Sequence, residues 1–177
     1  GEVKDLRYPI EKDCKLEILT FDDEDGKKAY WHTTAHIMAQ AVKRLYGESV
    51  KLTIGPSIEN GFYYDFDVEK PISENDFEKI EEEMKKIIKE DLPLERYTLS
   101  RTEAIEFMKE LDEPYKVELI EELPEGEEIS FYKQGDFTDL CAGPHLMSTG
   151  KIKAIKLLST SGAYWRGNEN NKMLQRV

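Results

Sequence analysis

The alternation of apolar and polar residues predicts a chain that combines helices with strands. Apolar residues recur every three or four positions over residues 30–45 and again over residues 77–91, which is the spacing of an amphipathic helix. Gly47 marks the end of the first helix, and Ser73 followed by Asp76 marks the start of the second as a capping box. The two longest predicted elements are therefore helices.

Two shorter helices are predicted in the middle of the chain. Ser100 with Glu103 repeats the capping pattern for a helix that ends at Leu111. Pro114 suits the first turn of a further helix, because that position needs no backbone N–H, and it places Lys116 near the helix start.

Alternating and aromatic stretches predict the strands. Alternation over residues 16–21 predicts a strand before the acidic turn "DDEDG", and the aromatic run in "GFYYDFDV" predicts another. Strands or strand edges are also expected in "ISFYKQG", "FTDLCAGPHL" and "KIKAIKLLS", ahead of the turn-rich "TSGAYWRGNENN". With helices first and strands later, the predicted fold class is α+β, an antiparallel sheet packed with helices.

The charge of the chain is unevenly distributed. Its 177 residues, enough for one main domain, carry a formal net charge of −12 at neutral pH. Residues 74–128 hold 20 acidic against 8 basic side chains, whereas residues 129–177 hold 7 basic against 3 acidic ones. The acidic helices are therefore expected to be solvated surfaces, and an anionic partner would bind the C-terminal part.

Neither a membrane span nor a secretion signal is predicted. No stretch reaches the ~18 apolar residues that a spanning helix needs. The N-terminal "GEVKDLRYPI" lacks the basic and apolar regions of a signal peptide. We therefore expect a soluble, cytoplasmic protein without a membrane partner, whose two cysteines, Cys14 and Cys141, stay reduced.

All three histidines lie in two short motifs with the same spacing. His32 and His36 of "HTTAH" are four positions apart on a predicted helix, so they face one side and can share a metal ion or a substrate. Zinc proteases with this spacing carry a glutamate after the first histidine as general base, and this chain has Thr33 there. The protease interpretation therefore fails, although zinc binding alone needs no glutamate.

The second motif is "CAGPH". Cys141 precedes His145 by four positions, but Gly143 and Pro144 disfavour a helix, so the two side chains are expected on a turn or at a strand end. If the fold brings them to the two helix histidines, the set offers three nitrogens and one sulfur, which is compatible with tetrahedral zinc.

Together with longer motifs, these residues resemble a known family. "HTTAH", "CAGPH", "IGPSIENGFYYDFD", "TDLCAGPH" and "TSGAYWRGNENNKMLQR" are similar to the editing domain of bacterial threonyl-tRNA synthetases, which is related to the editing domain of alanyl-tRNA synthetases. The resemblance covers residues 30–177. It implies an editing domain over residues 27–177 that ends at the linker toward an aminoacylation domain, in a fragment of the synthetase. Residues 1–26 resemble the C-terminal remnant of the preceding TGS domain, which is β-grasp-like.

The resemblance implies which residues form the editing cleft. Its walls are His32, His36, Cys141 and His145. Asp139 of "TDLC" resembles the carboxylate that holds the amino group of the substrate. Lys116 of "PYKVELI" resembles a lysine that works beside the first histidine, and Tyr63 of "GFYYD" resembles a tyrosine of the cleft.

The implied reaction is hydrolysis of a mischarged tRNA after transfer. Threonine exceeds serine by one methyl group, which a pocket can exploit for only ~1–3 kcal/mol, so a site sized for threonine also accepts serine. The resemblance implies that this domain hydrolyses the ester of seryl-tRNA(Thr) and rejects threonyl-tRNA.

The chemistry suggests a role for each of these residues. We expect His32 and Lys116 to act on the water and the developing charge, and Asp139 to bind the serine amine. His36 and His145 are expected to orient the other groups. Cys141 stays open between a nucleophile, a zinc ligand and a wall of the cleft.

The resemblance also implies cofactors and partners. Editing is expected to need no cofactor, and zinc at the His and Cys residues is disfavoured although their donor atoms suit it. The parent enzyme is expected to be a homodimer that uses ATP and zinc in its aminoacylation domain. The expected partners are serine-charged tRNA(Thr) and the rest of the synthetase polypeptide. Contacts with the tRNA are expected along the basic segment, at Lys133, Lys151, Lys153, Lys156 and Arg166.

Two other interpretations stay open. The His and Cys residues could form a structural zinc site in a module whose helices bind a partner protein. Alternatively, the chain could be a freestanding aminoacyl-tRNA deacylase.

Overall fold

The fold was analysed in a computed structural model that describes residues 1–177. Its α-helices are α1 (Glu24–Tyr46), α2 (Phe77–Glu90), α3 (Arg101–Glu110) and α4 (Pro114–Glu122). Its strands are β1 (Lys51–Leu52), β2 (Ser57–Ile58), β3 (Gly61–Phe62), β4 (Asp65–Asp67), β5 (Leu94–Leu99), β6 (Ile129–Gln134), β7 (Phe137–Leu140), β8 (Ser161–Tyr164) and β9 (Met173–Arg176). None of the helices combines the length and the apolar character needed to cross a membrane.

The strands form three antiparallel sheets. β1, β4, β9 and β8 form a four-stranded sheet in that order, β5, β6 and β7 form a three-stranded sheet, and β2 pairs only with β3. Four helices with purely antiparallel sheets confirm the predicted α+β class.

The larger hydrophobic core lies between α1, α2 and the four-stranded sheet. Its buried side chains include Ile37 and Met38 from α1, Met84 from α2 and Phe66 from β4. α2 buries one stripe, because its apolar residues recur every three or four positions, whereas α1 is buried on all sides over residues 33–42.

A second core lies between the three-stranded sheet and the helices α3 and α4. Met108, Ile120 and Phe131 are buried in it. α1 thus belongs to the first core, whereas β7 and α4 belong to the second. Side chains from both sides can meet where the two cores adjoin.

The predicted helix starts are confirmed for α2, α3 and α4. Ser73 and Asp76 exchange both hydrogen bonds of a capping box at the 3₁₀ turn that leads into α2. The Ser100 hydroxyl accepts a hydrogen bond from the Glu103 amide at 3.2 Å, and Pro114 is the first residue of α4.

α1 begins earlier than predicted. It starts at Glu24 rather than at Tyr30, so that the end of the predicted "DDEDG" turn belongs to its first turn. Glu24 and Asp25 favour this start, since acidic side chains stabilise the positive end of the helix dipole.

Two predicted strands are wrong. Residues 16–21 form no strand, because no other segment pairs with them, and Ile18 remains 74% exposed. The stretch "KIKAIKLLS" is extended but also lacks a strand partner. Its backbone donors bind side chains instead: the Lys153 amide donates to the Tyr30 hydroxyl at 2.9 Å, and the Leu157 amide donates to Glu81 at 3.0 Å.

Candidate functional site

The structure brings all three histidines together with Cys141. α1 presents His32 and His36 one turn apart, and the segment after β7 places His145 against both of them. The ring centroids of His145 lie 4.4 Å from His32 and 4.7 Å from His36. Cys141 Sγ lies 3.3 Å from His32 Nε2 and 3.1 Å from His145 Nε2. We call these four residues the His/Cys cluster.

A buried carboxylate adjoins the His/Cys cluster. Asp139, on β7, is 2% exposed, and Lys116 Nζ, from the first turn of α4, lies 2.8 Å from its Oδ1 atom. His36 Nδ1 lies 3.2 Å from Oδ2, and the Tyr64 hydroxyl donates to the same oxygen at 2.8 Å. His36 therefore joins the His/Cys cluster to the carboxylate. Lys116 is only 3% exposed, although a lysine in the first turn of a helix is usually solvated.

The tyrosine that contacts this carboxylate is Tyr64, which sequence analysis did not single out. The Arg176 guanidinium lies over the Tyr63 ring, 3.9 Å from its centroid, whereas Tyr64 is fully buried against Phe66 and Asp139. Neighbouring residues of an extended segment point to opposite sides, so Tyr63 and Tyr64 have different surroundings. The place of Tyr63 in the cleft stays a prediction.

The turn that carries Cys141 and His145 requires a glycine. Gly143 has a φ of 73°, a conformation that other residues rarely adopt, and a Cβ atom there would lie 2.1 Å from the Tyr132 hydroxyl. The Gly143 amide donates to Cys141 Sγ at 3.2 Å. The glycine of "CAGPH" therefore shapes the turn and supplies a donor to the thiol.

Two residues near the N-terminus, Asp5 and Arg7, form hydrogen bonds that hold the same turn in place. Asp5 Oδ1 accepts a hydrogen bond from the His145 amide at 2.8 Å, and its other oxygen accepts one from the Tyr132 hydroxyl. Arg7 donates to the carbonyl oxygens of Leu94 at 2.7 Å and Met147 at 3.0 Å. Sequence reasoning missed both anchoring residues, because no local pattern reveals contacts between residues 87 to 140 positions apart.

Burial keeps the groups of the His/Cys cluster uncharged. It lowers the pKa of all three histidines, and for His36 and His145 the neighbouring imidazoles lower the pKa further, well below 6.5. Burial also raises the pKa of the Cys141 thiol to about 12. At neutral pH the site therefore holds neutral imidazoles and a neutral thiol beside the Lys116–Asp139 ion pair.

The stability of the fold is expected to depend on these histidines. Their pKa values are near 6.5 when unfolded and lower when folded, so the unfolded chain binds more protons below pH 6.5. The free energy of unfolding should therefore fall as the pH drops below 6.5, by at most roughly 1.4 kcal/mol per histidine and pH unit. Urea denaturation at pH 7.5 and 5.5 measures this. A variant with glutamine at His36 and His145 should give a flatter profile, and an equal slope in both proteins would contradict the assignment.

The His/Cys cluster has the donor set of a zinc site. One nitrogen from each histidine and the Cys141 sulfur lie within 4.8 Å of one another. Three nitrogens and one sulfur suit tetrahedral zinc, which would be held by His32, His36, Cys141 and His145. The residues thus fit this metal by type.

The predicted tRNA contacts fall into two groups. Lys133, Lys151 and Lys153 are exposed. Lys156 lies 3.5 Å from Glu81 of α2, and Arg166 pairs with Glu118 and Glu122 of α4. Part of the basic segment thus lies against the acidic helices and is not separated from them.

A comparison with known families agrees with this site. The family "Threonyl and Alanyl tRNA synthetase second additional domain" matches residues 129–177, which include β6, β7, Asp139, Cys141 and His145. Together with the similarities over all 177 residues of the chain reported below, this match shows that the chain belongs to that family.

The chain is similar to one kind of enzyme among the curated proteins. Over all 177 residues the chain is 75% identical to the threonine--tRNA ligase of Acetivibrio thermocellus, 71% to that of Caldanaerobacter subterraneus subsp. tengcongensis and 67% to that of Clostridium tetani. It covers 28%, 27% and 28% of those proteins. The chain thus corresponds to a segment of bacterial threonine--tRNA ligases and spans less than a third of their length.

Proposed function

We propose that this domain hydrolyses the ester bond of seryl-tRNA(Thr) and rejects threonyl-tRNA. The observation that carries the proposal is the position of a buried ion pair, Lys116–Asp139, beside neutral histidines. Ester hydrolysis needs a proton acceptor, stabilisation of the carbonyl oxygen and a group that holds the substrate. All three lie within one site.

His32 is the proposed general base. It is the only histidine of the site that is partly exposed, so water can reach it, and burial favours its neutral form. A neutral imidazole can take a proton from water at physiological pH. We assign Lys116 to the negative charge that develops on the carbonyl oxygen, and His36 and His145 to orientation.

Asp139 is the proposed anchor for the amino group of the substrate. A carboxylate offers about four lone-pair positions. The Tyr64 hydroxyl donates to Oδ2. Oδ1 lies 2.8 Å from Lys116 Nζ but has no hydrogen-bond partner, so it can accept from an incoming ammonium group. We also include Tyr64 among the residues that shape this pocket.

Water, and not Cys141, is the proposed acceptor of the seryl group. A cysteine attacks as the thiolate, and burial raises the pKa of this thiol to about 12. The thiol therefore remains protonated at neutral pH. Cys141 is assigned to the wall of the site.

The central experiment compares two substrates. The chain should deacylate seryl-tRNA(Thr) in single-turnover assays and leave threonyl-tRNA(Thr) intact over the same time. Protein with Asp139→Asn serves as the control for contaminating hydrolases. Equal hydrolysis of both substrates, or of neither, would contradict the proposal.

Hydrolysis is expected to survive removal of metal. The proposed proton transfer and charge stabilisation are supplied by His32 and Lys116, so exhaustive chelation should leave the single-turnover rate unchanged. Metal content and rate are measured on the same sample. Stoichiometric zinc, with activity lost on its removal and restored on its return, would instead support a zinc centre, in which the metal would polarise the carbonyl or activate water.

The acceptor end of the tRNA is proposed to approach over residues 151–156. The Tyr30 hydroxyl, two residues before His32, accepts from the amides of Lys153 and Ala154, so this stretch runs beside the start of α1. Its exposed lysines can neutralise phosphates near the site, while the overall negative charge weakens binding elsewhere.

Charge reversal tests this surface. Lys151→Glu with Lys153→Glu should slow deacylation of seryl-tRNA roughly tenfold at limiting protein, because phosphate contacts are lost. Hydrolysis of a short seryl-adenosine substrate should be unaffected. Lys85→Glu with Lys89→Glu on α2 changes the net charge equally and serves as the matched control. Equal slowing by both double variants would place the RNA on another face.

The complete protein is proposed to join this activity to aminoacylation. The rest of the polypeptide would charge tRNA(Thr) with ATP, using its own zinc, and would act as a homodimer in the cytoplasm. Weak binding of tRNA by the 177-residue chain, beside tight binding by the complete protein, would agree with this division.

A further inference from the structure

We propose that Thr33 is a positioning residue that fixes the tautomer of His145. Its hydroxyl donates a hydrogen bond to His145 Nδ1, and this keeps the proton of the neutral imidazole on Nε2. The consequence for catalysis depends on the hydrolysis proposed above, whereas the tautomer itself does not.

Thr33 is buried against the turn that carries His145. It lies on α1 between the two helix histidines and is fully buried. Its Oγ1 atom lies 2.9 Å from His145 Nδ1 and accepts a hydrogen bond from the Leu146 amide at 3.1 Å. Both partners belong to the turn that follows Cys141.

The direction of the hydrogen bond follows from the number of protons. A hydroxyl has one proton and two lone pairs, and the Leu146 amide already uses one lone pair. A protonated Nδ1 would use the second and leave the buried hydroxyl proton without an acceptor, which costs free energy. With Thr33 as donor, every group is satisfied. Nδ1 is therefore the acceptor, and the ring proton lies on Nε2.

The proton on His145 Nε2 determines which groups donate to Cys141 and which accept from it. Its sulfur receives donors from His145 Nε2 at 3.1 Å and from the Gly143 amide at 3.2 Å. The thiol proton can then point to His32 Nε2, which lies 3.3 Å from Sγ. Neutral His32 thus keeps its lone pair on Nε2. A thiol is a weak donor, so a substrate water can replace it there and lose its proton to His32.

His36 provides an internal reference. Its Nδ1 atom lies 3.2 Å from Asp139 Oδ2, and a carboxylate accepts but does not donate. The negative charge of Asp139 therefore favours the neutral form of His36 that has its proton on Nδ1, the opposite of His145. The two buried histidines should differ in tautomer within one protein.

The experiment measures ring tautomers directly. The chain contains three histidines, so long-range proton–nitrogen NMR spectra of ¹⁵N-histidine-labelled protein at pH 7.5 can be assigned from single His→Gln variants. We expect an unprotonated Nδ1 for His145 and a protonated Nδ1 for His36. Thr33→Val should abolish the preference of His145 for the tautomer with its proton on Nε2, and Thr33→Ser should retain this preference.

A neighbouring threonine gives the matched control. Thr34 is also fully buried on α1, and its hydroxyl donates to the Tyr30 carbonyl at 2.8 Å instead of to the site. Thr34→Val should leave the spectrum of His145 unchanged. A protonated Nδ1 on His145 in the unmodified protein would overturn the proposal. So would a Thr33→Val spectrum identical to that of Thr34→Val.

Single-turnover kinetics test whether Thr33 positions His145 for catalysis or only supports the fold. Thr33→Val should lower the single-turnover rate constant about tenfold at saturating seryl-tRNA, with little change in half-saturation, and Thr33→Ser should restore it. An unchanged rate constant in Thr33→Val would remove the catalytic consequence. If the unmodified chain hydrolyses no seryl-tRNA, the proposed function fails, and the spectra still decide the tautomer.

Discussion

His32→Ala is expected to lower the single-turnover rate of seryl-tRNA deacylation by about 10²- to 10⁴-fold. This is the usual contribution of a positioned general base. The variant should keep its stability, because His32 is only partly buried and packs against polar neighbours of the cluster. The rate is measured with protein in excess over seryl-tRNA, and urea denaturation measures the stability.

A control on the same helix face makes this result specific. Lys28 lies one turn before His32, is exposed and has its side chain near Asp25, 4.0 Å away. Lys28→Ala should leave the rate unchanged. A folded His32→Ala protein with a rate near that of the unmodified chain would remove His32 from the mechanism.

Lys116→Met is expected to lower the free energy of unfolding by about 3–5 kcal/mol and to abolish hydrolysis. Asp139 would remain as a buried charge without a cation, and an unpaired buried charge is strongly destabilising. Urea denaturation of both proteins gives the difference.

The double variant separates stability from activity. Asp139→Asn combined with Lys116→Met removes both charges with little change in volume, so it should recover much of the lost stability. It should remain inactive, because the proposed substrate anchor and charge-stabilising group are both gone. If Lys116→Met alone were as stable as the unmodified protein, the ion pair would have no structural role.

Local signals predicted the helices better than the strands. The caps at Ser73 and Ser100 act within a few residues of the chain, so sequence is sufficient to find them. A strand needs a distant partner. Residues 16–21 alternate without one, whereas β5, which sequence analysis did not predict, pairs with β6 along its whole length.

The chemistry of the site was predictable in part. Grouped histidines and a cysteine at repeated spacing indicated the His/Cys cluster. Lys116 and Asp139 came only from the family resemblance, since neither stands out by spacing. The contacts of Asp5 and Thr33 could not be predicted, because each depends on how segments more than 100 positions apart are placed. The boundary at residue 26 and the roles of the site residues stay predictions.

The hydrogen bonds from Asp5 and Arg7 show which residues a shortened protein must keep to hold His145 in place. Asp5 holds the His145 amide, and Arg7 holds the carbonyl oxygen of Met147, two residues further along. A protein trimmed at the predicted boundary would keep every histidine, cysteine and lysine of the site and lose both of these attachments. The predicted remnant over residues 1–26 therefore supplies part of the support of the site.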